Sequence, residues 1–301
     1  MIGPADSDET PGVLPLASGG PTVLRIVLGA QLRRLRLERG ISLEQAGAAI
    51  GASHAKLSRM ELGRVGFKRQ DVAELLTLYG VTDPQERSAL LNLVERANTP
   101  GWWHKYDDIL PPWFKIYVGL EEAASLIRSY ELQFVPGLLQ SPAYARAVIL
   151  LGHATATPEE IEQRIELRQA RRRRLVTSDA LKLWVVLDEA VVRRHIGGRT
   201  VMREQIALLL ELAEHPNITI QVLPFDRGGH AASGGPFSIL RFTEPSLPDV
   251  VYLEQLTSAL YLDKREDTEH YTKVMDRVCM EAMSAATTRR FLNLVYRELG
   301  G

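Results

Sequence analysis

The chain lacks most of the features that announce chemistry. It holds a single cysteine, Cys279, in 301 residues, so an intramolecular disulfide is excluded and a reducing cytoplasm suits it. No apolar run approaches the roughly 20 residues that a membrane-spanning helix needs, so no membrane partner is expected. The seven histidines are scattered, with no pair at metal-ligand spacing. The one glycine-rich run, Gly228 to Phe237 (GGHAASGGPF), lacks the Lys-Ser/Thr that completes a phosphate-binding loop, and it does not fit the dinucleotide fingerprint. No cofactor is therefore expected. Cys279 lies in helical sequence beside Val278 and Met280 and reads as core, not as a nucleophile. Acids near strand ends, Asp188-Glu189 and Glu254, are the one feature open to acid/base chemistry. Without a nucleophile, metal set or phosphate loop the chain is read as a non-enzyme.

The residues that are present point elsewhere. Hydrophobic residues make up 45% of the chain, enough for packed cores, and the length suits two ordinary domains. Residues 1–22 carry Asp6, Asp8 and Glu9 but no basic residue, and read as a disordered acidic tail and not a secretory signal. The net charge is only −1, yet Val23 to Gln70 holds ten Arg or Lys residues against three Glu. A local basic excess of this kind is the footprint of phosphate binding.

Residues 23–98 show helical periodicity broken at Gly40, Gly51, Gly63 and Gly80, which predicts five helices and no strand. Residues 99–117 form an aromatic, proline-rich junction with Trp102, Trp103, Tyr106, Trp113, Phe114 and Tyr117. That density of rings predicts packing onto the second domain. This domain spans residues 118–301, with helices expected at about 118–130, 141–151, 158–176 and 200–215 and again from Asp267 to Leu299. Between them lie five β-rich runs: LKLWVVLD, ITIQVLPF, PFSILRF, DVVYLE and SALYLD. The expected fold is multidomain, with an all-α helix-turn-helix domain followed by a mixed α/β (α+β) domain of about five strands.

The informative segment runs from Ser42 to Arg64, SLEQAGAAIGASHAKLSRMELGR. Two helices crossing steeply through a tight turn need a small residue at the crossing, here Gly47, and a left-handed residue in the turn, here Gly51. Ala46, Ile50, Ala52, Leu57 and Met60 fall on the shared apolar side. Ser53 caps the second helix, which offers His54, Ala55, Lys56, Ser58 and Arg59 to the major groove of double-stranded DNA. Lys56 and Arg59 are expected to be exposed donors to guanine or phosphate. His54 is a base-edge donor or acceptor, and Ala55 is small enough to meet a thymine methyl. Arg64, Lys68 and Arg69 come next, placed for phosphate contacts that fix register without reading sequence. A homodimer is expected, since two half-sites multiply a small domain's affinity.

Residues 24–80 resemble the lambda-repressor-like (XRE) helix-turn-helix domain. The stretches WWHKYDDILPPWFKIYVGLEEAASLIRSYE, VPGLLQSPAYARAV, RQARRRRL, LWVVLDEAVVRR, GGHAASGGPFSILRF and DVVYLE resemble, in order, an actinobacterial family of such regulators, the WhiJ-like proteins, some of them labelled antitoxin-like. The resemblance implies a cytoplasmic, nucleoid-associated transcriptional regulator, with repression the favoured direction. Its C-terminal domain would dock a small BldB-like partner protein or sense a small signal. One position departs from the pattern: the first helix of the motif usually opens with a phosphate-contacting Gln, and here that residue is Leu43.

Two further features each admit two readings. Arg164, Arg168 and the run Arg171 to Arg174 could form a second nucleic-acid patch, but read more simply as a solvated helix face or a patch for an acidic partner protein. The loop at Gly228 to Gly235 could cover a ligand pocket, with His230 as a contact, or could be a plain connection between strands.

Overall fold

A computed structural model describes residues 20–177, 180–244 and 247–300. Residues 1–19, most of the acidic tail, lie outside the described residues. The chain separates into two compact units between Gly101 and Trp102.

The first unit is built of five helices: α1 (Pro21–Glu38), α2 (Leu43–Ala49), α3 (His54–Glu61), α4 (Arg69–Leu78) and α5 (Pro84–Ala97). Short polar residues set where several of them begin. Ser42 and Gln45 form a reciprocal capping box on α2, Ser53 accepts from the Lys56 amide (3.2 Å), and Asp83 accepts from the Gln85 amide (2.9 Å) ahead of α5. Leu28, Leu32, Leu57, Met60, Val72, Leu75 and Leu76 are fully buried between the helices. Gly29 on α1 allows the closest approach, because a Cβ there would lie 2.6 Å from the carbonyl oxygens of both Met60 and Glu61 at the end of α3.

The second unit opens with the aromatic segment: a 3-10 turn at Trp102–Tyr106, then α6 (Pro112–Ala123). The order continues as β1 (Leu126–Glu131), α7 (Pro142–Gly152), α8 (Pro158–Arg172), β2 (Lys182–Asp188), α9 (Glu189–Arg193), α10 (Arg199–Leu212) and β3 (Ile218–Leu223). It closes with β4 (Phe237–Arg241), β5 (Val250–Glu254), β6 (Ala259–Leu262), α11 (Arg265–Glu281) and α12 (Ala285–Glu298). The strands form one mixed sheet in the order β3-β2-β1-β4-β5-β6. β1, β2 and β3 run parallel through helical crossovers, while β4, β5 and β6 add antiparallel. On one face Tyr130, Val186, Ile239 and Val251 bury against Met275 and Val278 of α11.

The sheet thus has six described strands where about five were expected. β1 falls in the stretch assigned to a helix over 118–130. Two causes hid it: no glycine or proline separates it from α6, and its LIRSYE sequence places Ser129 and Glu131 where an ordinary half-buried strand shows apolar residues. The aromatic residues pack inside this unit: Tyr106, Ile109 and Leu110 bury with Leu167 of α8, and the Tyr117 ring lies 4.4 Å from that of Tyr252 on β5.

Replacing Gly29 by Ala gains helix propensity but drives a methyl into two backbone carbonyls that cannot rotate away. The expected result is a net loss of about 1–3 kcal/mol, read from urea unfolding followed by circular dichroism.

Candidate functional site

In the first unit the site is the motif α2–turn–α3. Gly51 takes φ +59°, and at Gly47 a Cβ would stand 2.7 Å from the Ala52 carbonyl oxygen, so both glycines are dictated by the turn. Ala46, Leu57 and Met60 are fully buried, while Ile50 and Ala52 are only half-buried at the turn's edge. Leu43, at the start of α2, is half-buried, and the Gln45 side chain is occupied by its own capping box.

The contact that fixes α3 to the scaffold carries no sequence motif. Arg36 of α1 meets Glu61 at the end of α3 in a bidentate pair, Nε to Oε1 at 2.6 Å and Nη2 to Oε2 at 2.9 Å, with side chains 7% and 4% exposed. The third arm of Arg36 donates to the Ile41 carbonyl (2.8 Å). Each nitrogen of the guanidinium thereby has an acceptor. The loop after α3 has a second clamp: Asn98 accepts from the Phe67 amide (3.1 Å) and donates to its carbonyl (2.6 Å).

The sequence-derived residues are not equally placed. Ser53, His54, Ala55 and Arg59 are exposed along one stretch of α3, with Ser58 half-buried beside them. His54 Nε2 lies 3.7 Å from Glu44 of α2, and Arg59 Nε bonds the Ala55 carbonyl (3.3 Å). Arg64 and Lys68 are exposed on the following loop. Lys56 departs from expectation: its ammonium pairs with Asp71 of α4 (3.2 Å) and it is only half-exposed. Asp71 lies one residue past the basic stretch Val23 to Gln70 and lowers its local charge. Arg69 turns toward α5, donating to the Leu91 carbonyl and to Glu95 (both 3.1 Å).

The second unit contains a cavity of about 290 Å³ between one face of the sheet, α6 and α8. Ser129, Ser238 and Tyr252 stand in register across β1, β4 and β5 on its floor, and Glu131 and Glu254 lie two residues further on. α8 faces them with Arg164, Arg168 and Arg171. Arg164, Arg168 and Arg171 are therefore not part of a solvated helix face, whereas Arg173 is exposed. Arg171 is buried and bidentate to Glu121 of α6 (2.7 Å twice), with its guanidinium over the Phe114 ring. Arg168 donates from Nε to Gln140 Oε1 (3.0 Å). Gln140 is held in turn, since Gln205 of α10 bonds the backbone of both its neighbours, Leu139 and Ser141 (2.7 Å each).

Burial, and then the proximity of Glu254, pushes the Glu131 carboxyl up to about 8. None of Gly228–Gly235 lines this cavity. His230 instead bonds the Tyr130 hydroxyl (2.9 Å) on the opposite face of the sheet. Asp188 and Glu189 are engaged elsewhere, Asp188 capping α9 and Glu189 pairing with Arg193, so the strand-end acid that Glu254 meets is Glu131. Among the described residues no group of three or more His, Cys, Asp or Glu could hold a metal ion, and no helix is long and apolar enough to cross a membrane.

A helical domain with this motif, joined to an α/β domain on a six-stranded mixed sheet, defines the class. A family model described as a helix-turn-helix domain matches residues 27–90, and one described as a domain of unknown function (DUF5753) matches residues 114–293. The second covers more than half of the chain, which belongs to that DUF5753 family. No curated protein and no solved structure matches it.

These contacts set two expected outcomes. Glu61→Leu strands a buried guanidinium and is expected to cost about 3–5 kcal/mol, whereas Arg36→Met/Glu61→Leu recovers most of that loss. Both are read from denaturant midpoints. For Glu131 the native state holds a proton that the unfolded chain, near 4.5, has already released. Stability therefore declines as pH rises from about 4.5 to about 8 and levels off above. Thermal melts across that range should show a shallower decline in Glu131→Gln.

Proposed function

We propose that the chain is a sequence-specific DNA-binding transcriptional regulator, not an enzyme, that acts as a homodimer and represses its target genes at the cytoplasmic nucleoid. The observation that carries this reading is α3: a capped helix, fixed at its far end by a buried ion pair, with His54, Ala55 and Arg59 exposed at groove-reading positions. A rigid helix loses less freedom on entering the groove, which is what sequence reading requires. Arg59 and His54 are assigned to base edges, Ser53 and Ser58 to the helix flank. Arg64, Lys68 and Arg69 are assigned to phosphates. Lys56 is assigned there too, by way of releasing Asp71.

The C-terminal domain is assigned a regulatory role. The resemblance to actinobacterial WhiJ-like, antitoxin-like regulators of the XRE class supports docking of a small BldB-like partner protein. A second reading, that this domain senses a small molecule, is favoured by the charged cavity.

Titration of the purified protein on its own promoter and on random DNA, at two salt concentrations, tests the DNA reading. Arg59→Ala should lower promoter affinity by about 1–3 kcal/mol and leave random DNA nearly unaffected. Lys68→Ala should weaken both alike and reduce the salt slope by about 1. Equal affinity for promoter and random DNA in the unaltered protein would sink the assignment.

A further inference from the structure

We propose that the cavity between α8 and the sheet binds a small organic anion, its carboxylate or phosphate held by Arg164 and Arg168 and a donor at its other end met by Glu131 and Glu254. This deepens the sensing reading of the C-terminal domain and rests on it for any regulatory consequence, but not for the binding itself.

The arginines carry the case. Arg171 is satisfied by Glu121, whereas neither Arg164 nor Arg168 forms an ion pair with a described residue. Nη1 of Arg164 is buried without a hydrogen-bond partner, a costly condition for a charged donor. Arg168 is held through Nε by Gln140 and through Nη1 by the Arg164 carbonyl, which leaves its Nη2 without a partner among the described residues. Burial, with Arg171 and Arg164 close by, pushes Arg168 down to about 10, the mark of a positive centre awaiting an anion. The orientation of Arg168 is prepared through Gln140, itself locked by Gln205, and prepared donors of this kind are typical of ligand sites.

The opposite wall is acidic: Glu131 is sunk at the end of β1, and Glu254 is exposed at the end of β5. The helix side and the sheet side therefore ask for opposite chemistry, and Phe114 of α6 adds an apolar surface to the lining. A volume of about 290 Å³ lies at the low end of small-molecule sites, so a short chain or a single ring is the size that fits.

Isothermal titration of the full chain, without DNA, against hexanoate, hexyl phosphate, 6-aminohexanoate and hexylamine tests this. At least one of hexanoate and hexyl phosphate should bind, and the tighter of the two names the headgroup. 6-Aminohexanoate should bind more tightly than hexanoate, and hexylamine should not bind. Arg164→Met, which removes a nitrogen with no partner and so leaves the fold unburdened, should weaken acid binding tenfold or more, as should Arg168→Met. Above about pH 8, where Glu131 is ionised, Glu131→Gln should keep hexanoate binding and reduce the advantage of 6-aminohexanoate. No binding of either anion at millimolar concentration, unchanged affinity in Arg164→Met, or hexylamine binding as well as hexanoate would each overturn the proposal. Since no DNA is present, failure here leaves the promoter result standing, and failure on the promoter leaves this one.

Discussion

Each unit is organised around one buried, bidentate arginine–glutamate pair between helices distant in sequence. Arg36 and Glu61 join α1 to α3, and Arg171 and Glu121 join α8 to α6. Such a pair contributes less to net stability than its short distances suggest, because two charges have left water. Its value lies in direction. A planar fork closed on a carboxylate admits one relative placement of the two helices, where an apolar contact would allow sliding. In the first unit that placement sets the angle at which α3 faces solvent. In the second it holds α8 over the sheet with Arg164 and Arg168 left unspent.

The two sites differ in how they treat charge. Around α3 several charges are answered locally: Lys56 by Asp71, Arg69 by Glu95, His54 by a nearby Glu44. The basic surface around α3 is thus less intense than a residue count suggests, though Arg59, Arg64, Lys68 and Arg69 all remain exposed there. In the cavity the reverse holds. Arg164 and Arg168 face Glu131 and Glu254 with no ion pair between them among the described residues, and burial, with Glu254 nearby, keeps the proton on Glu131. An interior that stores unspent charge in this way is kept for a purpose other than stability.

How much of this was legible in the sequence depended on whether a feature is local. The turn of the motif demands glycine at two fixed positions and a cap two residues after the second, so Gly47, Gly51 and Ser53 could be read directly. The parallel and antiparallel strands after Lys182 carry enough Val, Ile and Leu to announce themselves. β1 does not, because Ser129 and Glu131 face the cavity and not a greasy core. The two buried pairs were invisible for a related reason: Arg36 and Glu61, like Arg171 and Glu121, look like surface residues until a partner 25 or 50 positions away is brought beside them. The cavity draws its walls from α6, α8 and four strands, and no sequence window spans them.

Asn98 has a consequence for where the first unit ends as a piece of folded protein. Its carboxamide closes a ring of chain from Phe67 through α4 and α5, and the preceding residue, Ala97, accepts from Arg25 of α1 (3.0 Å). α5 is therefore less an appended helix than the latch on the loop that carries Arg64 and Lys68. A fragment cut a few residues short would keep every residue of the recognition motif and still lose the fastening of that loop, so the smallest autonomous reader of DNA in this chain is longer than the motif that identifies it.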